Sequence, residues 1–362
     1  MPDHRLWLAA AGAGEFNFWI LLIAAAGLIS GTLGYFLKSK ICQIPAVLSG
    51  IMLLLMLSLT AQIVATANQY GARLSLWQEL FGELLPDSPA HEEFGITFAN
   101  RAGKQLKLDV YTAINQPAEQ SHSGKLDPSV IIVHGGSWSR GKRSECKKFD
   151  RWLAAQHYVV FDIDYRLATN ACHFPAQLDD VEAALDWVQK HGCEYRCDPK
   201  QTFLLGRSAG AQLALVTAYR NPLRVLGVIS YYAPTDLTWD YKNPCIPDVI
   251  ETRPTLENYL GGTPDTVPNV FKDASPTDAL TKEGPGTLIF QGGHDQVVDK
   301  QNAKLLIAKL EEKHVPYTYV YLPWANHGFD FRLNGWSSQI TRAVLSSFLE
   351  STLARDSKAK RL

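Results

Sequence analysis

The chain has 362 residues, 46% of them hydrophobic, and a formal net charge of −1. That balance lacks the basic excess of a nucleic-acid-binding protein, and the apolar content is ample for a large core. The length suits a membrane anchor followed by one large domain, or two ordinary domains.

The apolar residues are unevenly spread. Phe16–Leu37 carries no charge, and neither does Ile41–Ala72. Each run can supply the ~20 apolar residues that cross a bilayer as a helix. Only Lys38–Lys40 separates them, so spans over about 16–37 and 44–67 are expected to form a transmembrane helical hairpin within an anchor, residues 1–72. A cleaved signal peptide is the rival for the first run, but that run exceeds the usual ~7–15-residue signal core and a second run follows. A buried core hairpin is the other alternative. Lys38 and Lys40 lie in the hairpin loop, whereas the N-terminal flank offers Arg5 and the far flank Arg73. Positive-inside counting therefore puts the hairpin loop in the cytoplasm and the rest of the chain outside it, in the periplasm if the protein is bacterial.

Residues 73–89 read as an amphipathic juxtamembrane linker, with Leu76, Trp77, Leu80, Phe81, Leu84 and Leu85 at helical spacing. Pro86–Pro89, "PDSP", then breaks the chain. A domain is expected over 90–352. It opens with the alternating "GITFAN" and "KLDVYTA", and continues with short runs rich in β-branched and aromatic residues: "SVIIVHG", "YVVFDIDY", "TFLLG", "LGVISYYA", "TLIFQGG" and "YTYVYLP". Helical patterns such as "AQLDDVEAALDWVQKH" and "AKLLIAKLEEKH" lie between several of them. Continuous apolar strands alternating with helices imply an α/β domain with a doubly wound, mostly parallel sheet. Residues 353–362, ending "RDSKAKRL", read as a disordered basic tail.

Within "TFLLGRSAG", Ser208 lies between Gly206 and Gly210, at the carboxyl end of a strand and the start of a helix. A tight turn would explain the glycines. A nucleophile elbow, which lifts a serine hydroxyl above the sheet, explains them together with their strand–helix context. A serine needs a base, and the base an orienting acid. Asp295 follows the strand "TLIFQGG", and His327 follows "YVYLP", in the chain order serine, acid, histidine. His294, Asp299 and Asp330 are weaker rivals, and Asp236 is the runner-up acid, with a structural role the better account of it. The "HGGSW" loop, His134–Trp138, follows an early strand. Backbone N–H groups of Gly136, Ser137 and Ala209 are expected to form an oxyanion hole, with Gly135 shaping the turn or replacing one donor.

The soluble part resembles α/β-hydrolase esterases of the hormone-sensitive-lipase and BD-FAE-like (feruloyl or acetyl esterase) group. The resemblance rests on "HGGSW", "DYRLA", "FPAQLDDVEAALDWV", "DPKQTFLLGRSAG", "YLGGTPD" and "DASP", and covers Phe94–Leu349. It implies an α/β-hydrolase fold, a Ser208–His327–Asp295 triad, an oxyanion hole from the HGGxW loop and Ala209, hydrolysis of a small-molecule ester, and no cofactor or metal. Ser137 stands where the group often has a third glycine, and Arg207 fills the elbow's variable position. The same resemblance leaves a formamidase, an isoprenylcysteine methylesterase-like hydrolase, a prolyl-oligopeptidase-type peptidase and a non-catalytic receptor as alternatives. The segment holding Trp239 and Tyr241 is the expected pocket lining. Of the six cysteines, none shows zinc-ligand spacing. Cys193 and Cys197 are the candidate disulfide, against free buried thiols.

Overall fold

The computed structural model describes residues 15–36, 43–101, 103–114 and 126–360. They divide into two compact units, Met1–Leu84 with Gly292–His294 and Tyr321–Val344, and Leu85–Gln291 with Asp295–Val320 and Leu345–Leu362.

The first unit opens with two long helices, α1 (Asn17–Phe36) and α2 (Gln43–Gln69). They pack along small residues. A β-carbon on Gly31 would fall 2.6 Å from that of Ala46, and one on Gly27 would fall 2.4 Å from Ser49 Oγ. Larger residues there would push the helices apart. Asn17 Nδ2 donates to Thr60 Oγ1 at 3.3 Å. The remaining faces are apolar and outward, with Ile23, Phe36, Ile44 and Leu54 each about 70% exposed or more. Helices of a soluble core are buried, and these are not. The short helix α3 (Leu76–Phe81) follows, its first turn capped by Ser75, whose Oγ accepts from Gln78 N.

Both ends of the hairpin close on the segment 321–339. The Tyr321 N–H donates to Tyr70 Oη at 3.0 Å. Gln339 bonds both backbone groups of Ser75, accepting from its N–H at 2.7 Å and donating to its carbonyl at 3.2 Å. Arg332 donates to the Glu79 carboxylate and carbonyl, each at 2.9 Å, and to the Glu15 carbonyl. Its guanidinium lies 4.4 Å over the Phe16 ring. Ser337 Oγ donates to Glu15 Oε1 and accepts from the Trp324 indole at 3.1 Å. Glu15, Glu79, Arg332 and Ser337 are all buried. The Arg332–Glu79 pair is therefore an internal ion pair, and Glu15 beside it is pushed up to about 8 by burial, which keeps it a neutral acid at pH 7.

The second unit is built on a sheet ordered β1-β2-β4-β3-β5-β6-β7-β8. The strands are β1 (Ala90–Arg101), β2 (Lys104–Ala113), β3 (Asp127–Val133), β4 (Val159–Ile163), β5 (Cys197–Arg207), β6 (Gly227–Tyr231), β7 (Gly286–Gly292) and β8 (Tyr317–Leu322). β1 pairs antiparallel with β2, and β2 with β4. β3 pairs parallel with β4 and β5, and β6 parallel with β5 and β7. The apolar runs explain this arrangement, since β4 and β6 are buried at every position and must be covered on both faces. Helices α4 (Lys147–Ala155), α5 (Ala176–His191), α6 (Ala209–Arg220), α7 (Leu237–Lys242), α8 (Thr252–Leu260), α9 (Pro268–Ala274), α10 (Pro276–Ala279) and α11 (Gln301–Lys313) come between strands. The doubly wound, mostly parallel sheet expected from the sequence is the one observed.

Two expectations are corrected. The last helix, α12 (Trp336–Ala359), runs through most of the segment read as a disordered tail. Leu349 is buried against its own unit, and Lys360 bonds Asp356 one turn back at 2.6 Å, so alternating charges continue the helix. The Cys193–Cys197 bridge is not formed, and both are free thiols. Cys193 is exposed in a short turn, whereas Cys197 opens β5 with its sulfur turned inward beside Gly192. Between them Arg196 takes a left-handed conformation, at the end of a short turn. Cys42 lies outside the described residues.

Glu15→Gln tests the neutral buried acid. A carboxyl whose folded-state value is raised from 4.5 to about 8 contributes fully below pH 4.5 and loses its contribution as pH rises to 8. Thermal or denaturant unfolding in detergent should show the variant gaining on wild type across that window, by at most roughly 5 kcal/mol, with no further gain above it.

Candidate active site

β5 ends at Arg207 and α6 begins at Ala209, so Ser208 occupies the corner. Its φ is +54° and its ψ −123°, a conformation that costs a non-glycine residue about 1–3 kcal/mol. The bend is held by a Ser208 N–H bond to the Tyr231 carbonyl at 2.9 Å, and by the burial of Ala209 through Tyr219. The glycines have steric reasons. A β-carbon on Gly206 would lie 2.3 Å from the Gly210 carbonyl oxygen, and one on Gly210 would lie 2.2 Å from that of Val133. Arg207 points away from the corner, its guanidinium 4.5 Å over Phe149 and 5.3 Å over Tyr231.

The His134–Trp138 loop runs beside this corner. A β-carbon on Gly135 would come within 3.4 Å of Ser208 Cβ. Gly136, Ser137 and Trp138 all have positive φ, at +110°, +51° and +59°. Successive residues of this kind gather their N–H groups on one side. Among the described residues, the Gly136 and Ser137 N–H groups make no hydrogen bond, while the Gly136 carbonyl accepts from Arg140 at 3.0 Å. Trp138 is buried, stacked 4.1 Å from Tyr259, and its indole donates to Gln212 Oε1 at 2.8 Å. Tyr259 Oη donates to the same oxygen at 3.1 Å, and Gln212 Nε2 donates to the Ala274 carbonyl at 2.6 Å. Gln212 thus locks the loop, and no sequence motif singles it out. His134 stacks on Tyr165, and burial holds it below the usual histidine range, so it is a neutral structural ring.

Ser208, Ala209, Ser137 and Trp138 form one wall of a pocket of about 460 Å³, counting its open mouth. The other walls come from 240–256 and from Val297 and Val298. Asp240, Asn243, Pro244, Cys245 and Leu256 face it, whereas Trp239 and Tyr241 do not line it. Tyr241 instead donates to Glu257 at 2.6 Å and packs on Phe271. The expected segment is right and the named aromatics are not, because helix α7 turns its intervening residue inward. That residue, Asp240, accepts from Asn302 Nδ2 at 2.6 Å through Oδ1, while Oδ2 has no partner among the described residues. Burial pushes its carboxyl up to about 7. The Cys245 thiol is pushed up to about 12 by burial, so it is not a reactive thiolate.

Asp295 follows β7 and is buried. Its Oδ1 accepts from the N–H groups of Val297 and Val298, both at 2.9 Å, which ties its turn to the pocket wall. His327 is half-buried in the loop after β8, its N–H donating to Asn326 Oδ1 at 2.8 Å. Within the first unit, the His294 N–H donates to the Ala325 carbonyl at 3.0 Å, which joins the chain just before Asp295 to the chain just before His327. Among the rivals, Asp236 caps α7 by accepting from Trp239 N at 2.9 Å, and Asp299 accepts from Gln301 N at 2.7 Å. His294 is exposed. Among the described residues, no cluster of three or more His, Cys, Asp or Glu is placed to hold a metal ion.

Gly210→Ala should destabilise the second unit by about 1–3 kcal/mol, since its β-carbon must displace main chain of β3 rather than a flexible side chain. A lowered denaturant midpoint with an unchanged slope would register that loss. A midpoint equal to wild type would contradict the close approach.

The BD-FAE family model matches residues 108–310. Among curated proteins, the chain is 28% identical over 258 residues to Esterase LipC of Mycobacterium tuberculosis, covering 67% of this chain and 61% of that protein. It is 26% identical over 230 residues to a kynurenine formamidase of Meyerozyma guilliermondii, covering 60% of this chain and 84% of that protein. The chain spans between 55% and 61% of the length of LipC, LipQ and LipM, the mycobacterial relatives it matches. Among solved structures, Esterase B of Lactobacillus rhamnosis superimposes with a TM-score of 0.62 at 20% identity, over 83% of this chain and 97% of that one, a likeness of fold. With the family model spanning more than half of it, the chain belongs to the BD-FAE family and has the α/β-hydrolase fold.

Proposed function

We propose that this protein is a serine carboxylic ester hydrolase acting on small esters through an acyl-enzyme, with Ser208 as nucleophile, His327 as base and Asp295 as the acid that orients it. The observation that carries this reading is Ser208 itself, held at a strained φ of +54° where a strand meets a helix, beside unbonded N–H groups. Strain of that kind persists only where the surrounding structure over-determines it. Ser208 Oγ attacks the ester carbonyl as His327 takes its proton. The N–H groups of Gly136, Ser137 and Ala209, with Gly135 shaping their turn, receive the oxyanion. His327 then protonates the leaving alcohol, and water repeats the sequence on the acyl-enzyme. The pocket, lined by Pro244, Leu256 and Val298, suits a short acyl or alcohol group rather than a long chain. Kinship with esterases, a family carrying the name BD-FAE, and the HGGxW loop support the ester as substrate. The coverage of the kynurenine formamidase favours an aryl formamide as the second reading.

Hydrolysis of p-nitrophenyl esters graded from acetate to palmitate, alongside an aryl formamide, checks the assignment. Short esters should be fastest. Ser208→Ala should lower kcat by roughly 10⁴–10⁶-fold, and His327→Ala comparably, because triad members act as a unit. A fluorophosphonate should label wild type at Ser208 alone. Near-normal turnover by Ser208→Ala would refute the mechanism, and formamide turnover exceeding that of every ester would favour the second reading.

The helical hairpin is proposed as a membrane anchor, with the hydrolase domain on the extracytoplasmic side. The outward apolar faces of α1 and α2 support insertion, and Lys38 and Lys40 support the orientation. Full-length protein should stay with membranes in alkaline carbonate. A reporter fused after Leu362 should be active only outside the cytoplasm, and the opposite result would reverse the topology.

A further inference from the structure

We propose that Arg332 is a positioning residue for His327, and that the two flanks of the helical hairpin, through Glu15 and Glu79, form the clamp that holds it. The inference rests on the reading of His327 as the catalytic base. The loop that carries His327 is gripped at two places within the first unit. On its N-terminal side the grip is backbone on backbone. The Gly293 N–H donates to the Leu322 carbonyl at 2.8 Å and the His294 N–H to the Ala325 carbonyl at 3.0 Å. A β-carbon on Gly292 would lie 2.5 Å from the Ala325 carbonyl oxygen, and one on Gly293 would lie 2.4 Å from that of Pro323.

On the C-terminal side, the Phe331 N–H donates to the Gly328 carbonyl at 3.1 Å and the Gly335 N–H to the Arg332 carbonyl at 3.1 Å, within the loop itself. There the chain is held by side chains that come from residues flanking the two apolar helices. Arg332, five residues past His327, spends its guanidinium on Glu79 and on the Glu15 carbonyl, above the Phe16 ring. Phe16 and Phe331 pack at 6.3 Å. Ser337, bonded to Glu15, also receives the Trp324 indole, which ties this grip back to the near side of the loop. Gly328 follows His327 with a φ of +72°, and a β-carbon there would meet nothing within 4 Å. The loop that carries His327 thus has two anchorages, and one of them belongs to the segment that enters and leaves the hairpin. A guanidinium with bonds in two directions fixes geometry as an ammonium cannot. Glu15 as a neutral acid lets Arg332 keep one counter-charge, Glu79, without a second charge to bury.

A displaced base harms the step that needs its proton most. An ethyl ester has a poor leaving group that must be protonated, whereas p-nitrophenolate leaves without help. Full-length Arg332→Met in detergent should lose about 100-fold in kcat on ethyl butyrate and about 10-fold on p-nitrophenyl butyrate, with KM within about two-fold of wild type on both. Arg332→Lys should recover part of the loss in the same proportion. Equal losses on the two esters, or unchanged kcat in a folded variant, would overturn the proposal. Should Arg332→Met not fold, Arg332→Lys and Glu79→Gln carry the test on the same ratio of the two esters. His327→Ala measured alongside separates the premises: if it retains turnover, the base is misassigned and the clamp has no catalytic object. If it is inactive while Arg332→Met matches wild type, the base stands and the clamp is refuted.

Discussion

The absence of two β-carbons governs the second unit. Gly206 and Gly210 bring the first turn of α6 against the carboxyl ends of β3 and β5, at distances where any side chain would meet main-chain oxygen. That approach throws Ser208 into its positive-φ corner. The cost is offset by the helix beyond the corner, since every residue of α6 from Ala209 to Tyr219 is buried. Burial of a whole helix against a parallel sheet supplies far more free energy than one strained residue consumes.

From that corner the rest of the candidate site is laid out by short-range geometry and one long-range lock. Three left-handed residues in a row turn the Gly136–Trp138 loop, and Gln212 pins it by bonding both the Trp138 indole and the Tyr259 hydroxyl. Trp138 can then serve as a rigid pocket wall. The pocket is largely apolar but carries the buried Asp240 carboxyl, whose Oδ2 has no partner among the described residues and which burial pushes up to about 7.

The first unit solves a different problem. Its helices expose apolar surface, yet the residues at their ends are charged and buried. A buried ion pair is costly unless its hydrogen bonds are complete. Arg332 uses two carbonyls as well as the Glu79 carboxylate, whose Oε2 has no partner among the described residues, and Glu15 avoids the cost by staying protonated. The flanks of the helical hairpin and the 321–339 segment are thereby bonded together within the first unit.

Much of this was legible in the chain. The apolar strand runs, the strand–helix alternation and the two charge-free runs state the fold class and the two long helices, because burial on both faces of a strand and the outward faces of α1 and α2 are written in consecutive residues. The placement of Ser208 after "TFLLG" and of the glycines around it was equally local. What the chain did not disclose is what depends on residues far apart in it. Asp240 rather than Trp239 or Tyr241 faces the pocket, because the phase of a six-residue helix is set by its neighbours. Cys193 is exposed and Cys197 buried, and which of them faces the core is set by the strand that Cys197 opens. Most of the tail continues the helix Trp336–Ala359, in which Leu349 is buried. Arg332 and Glu15 are separated by more than three hundred residues, and no spacing rule connects them. Sequence determines which segments must be buried and where the chain can bend sharply, since those are properties of a few adjacent residues. Only tertiary structure decides which buried polar group meets which, because each needs a partner and the partner is found in space.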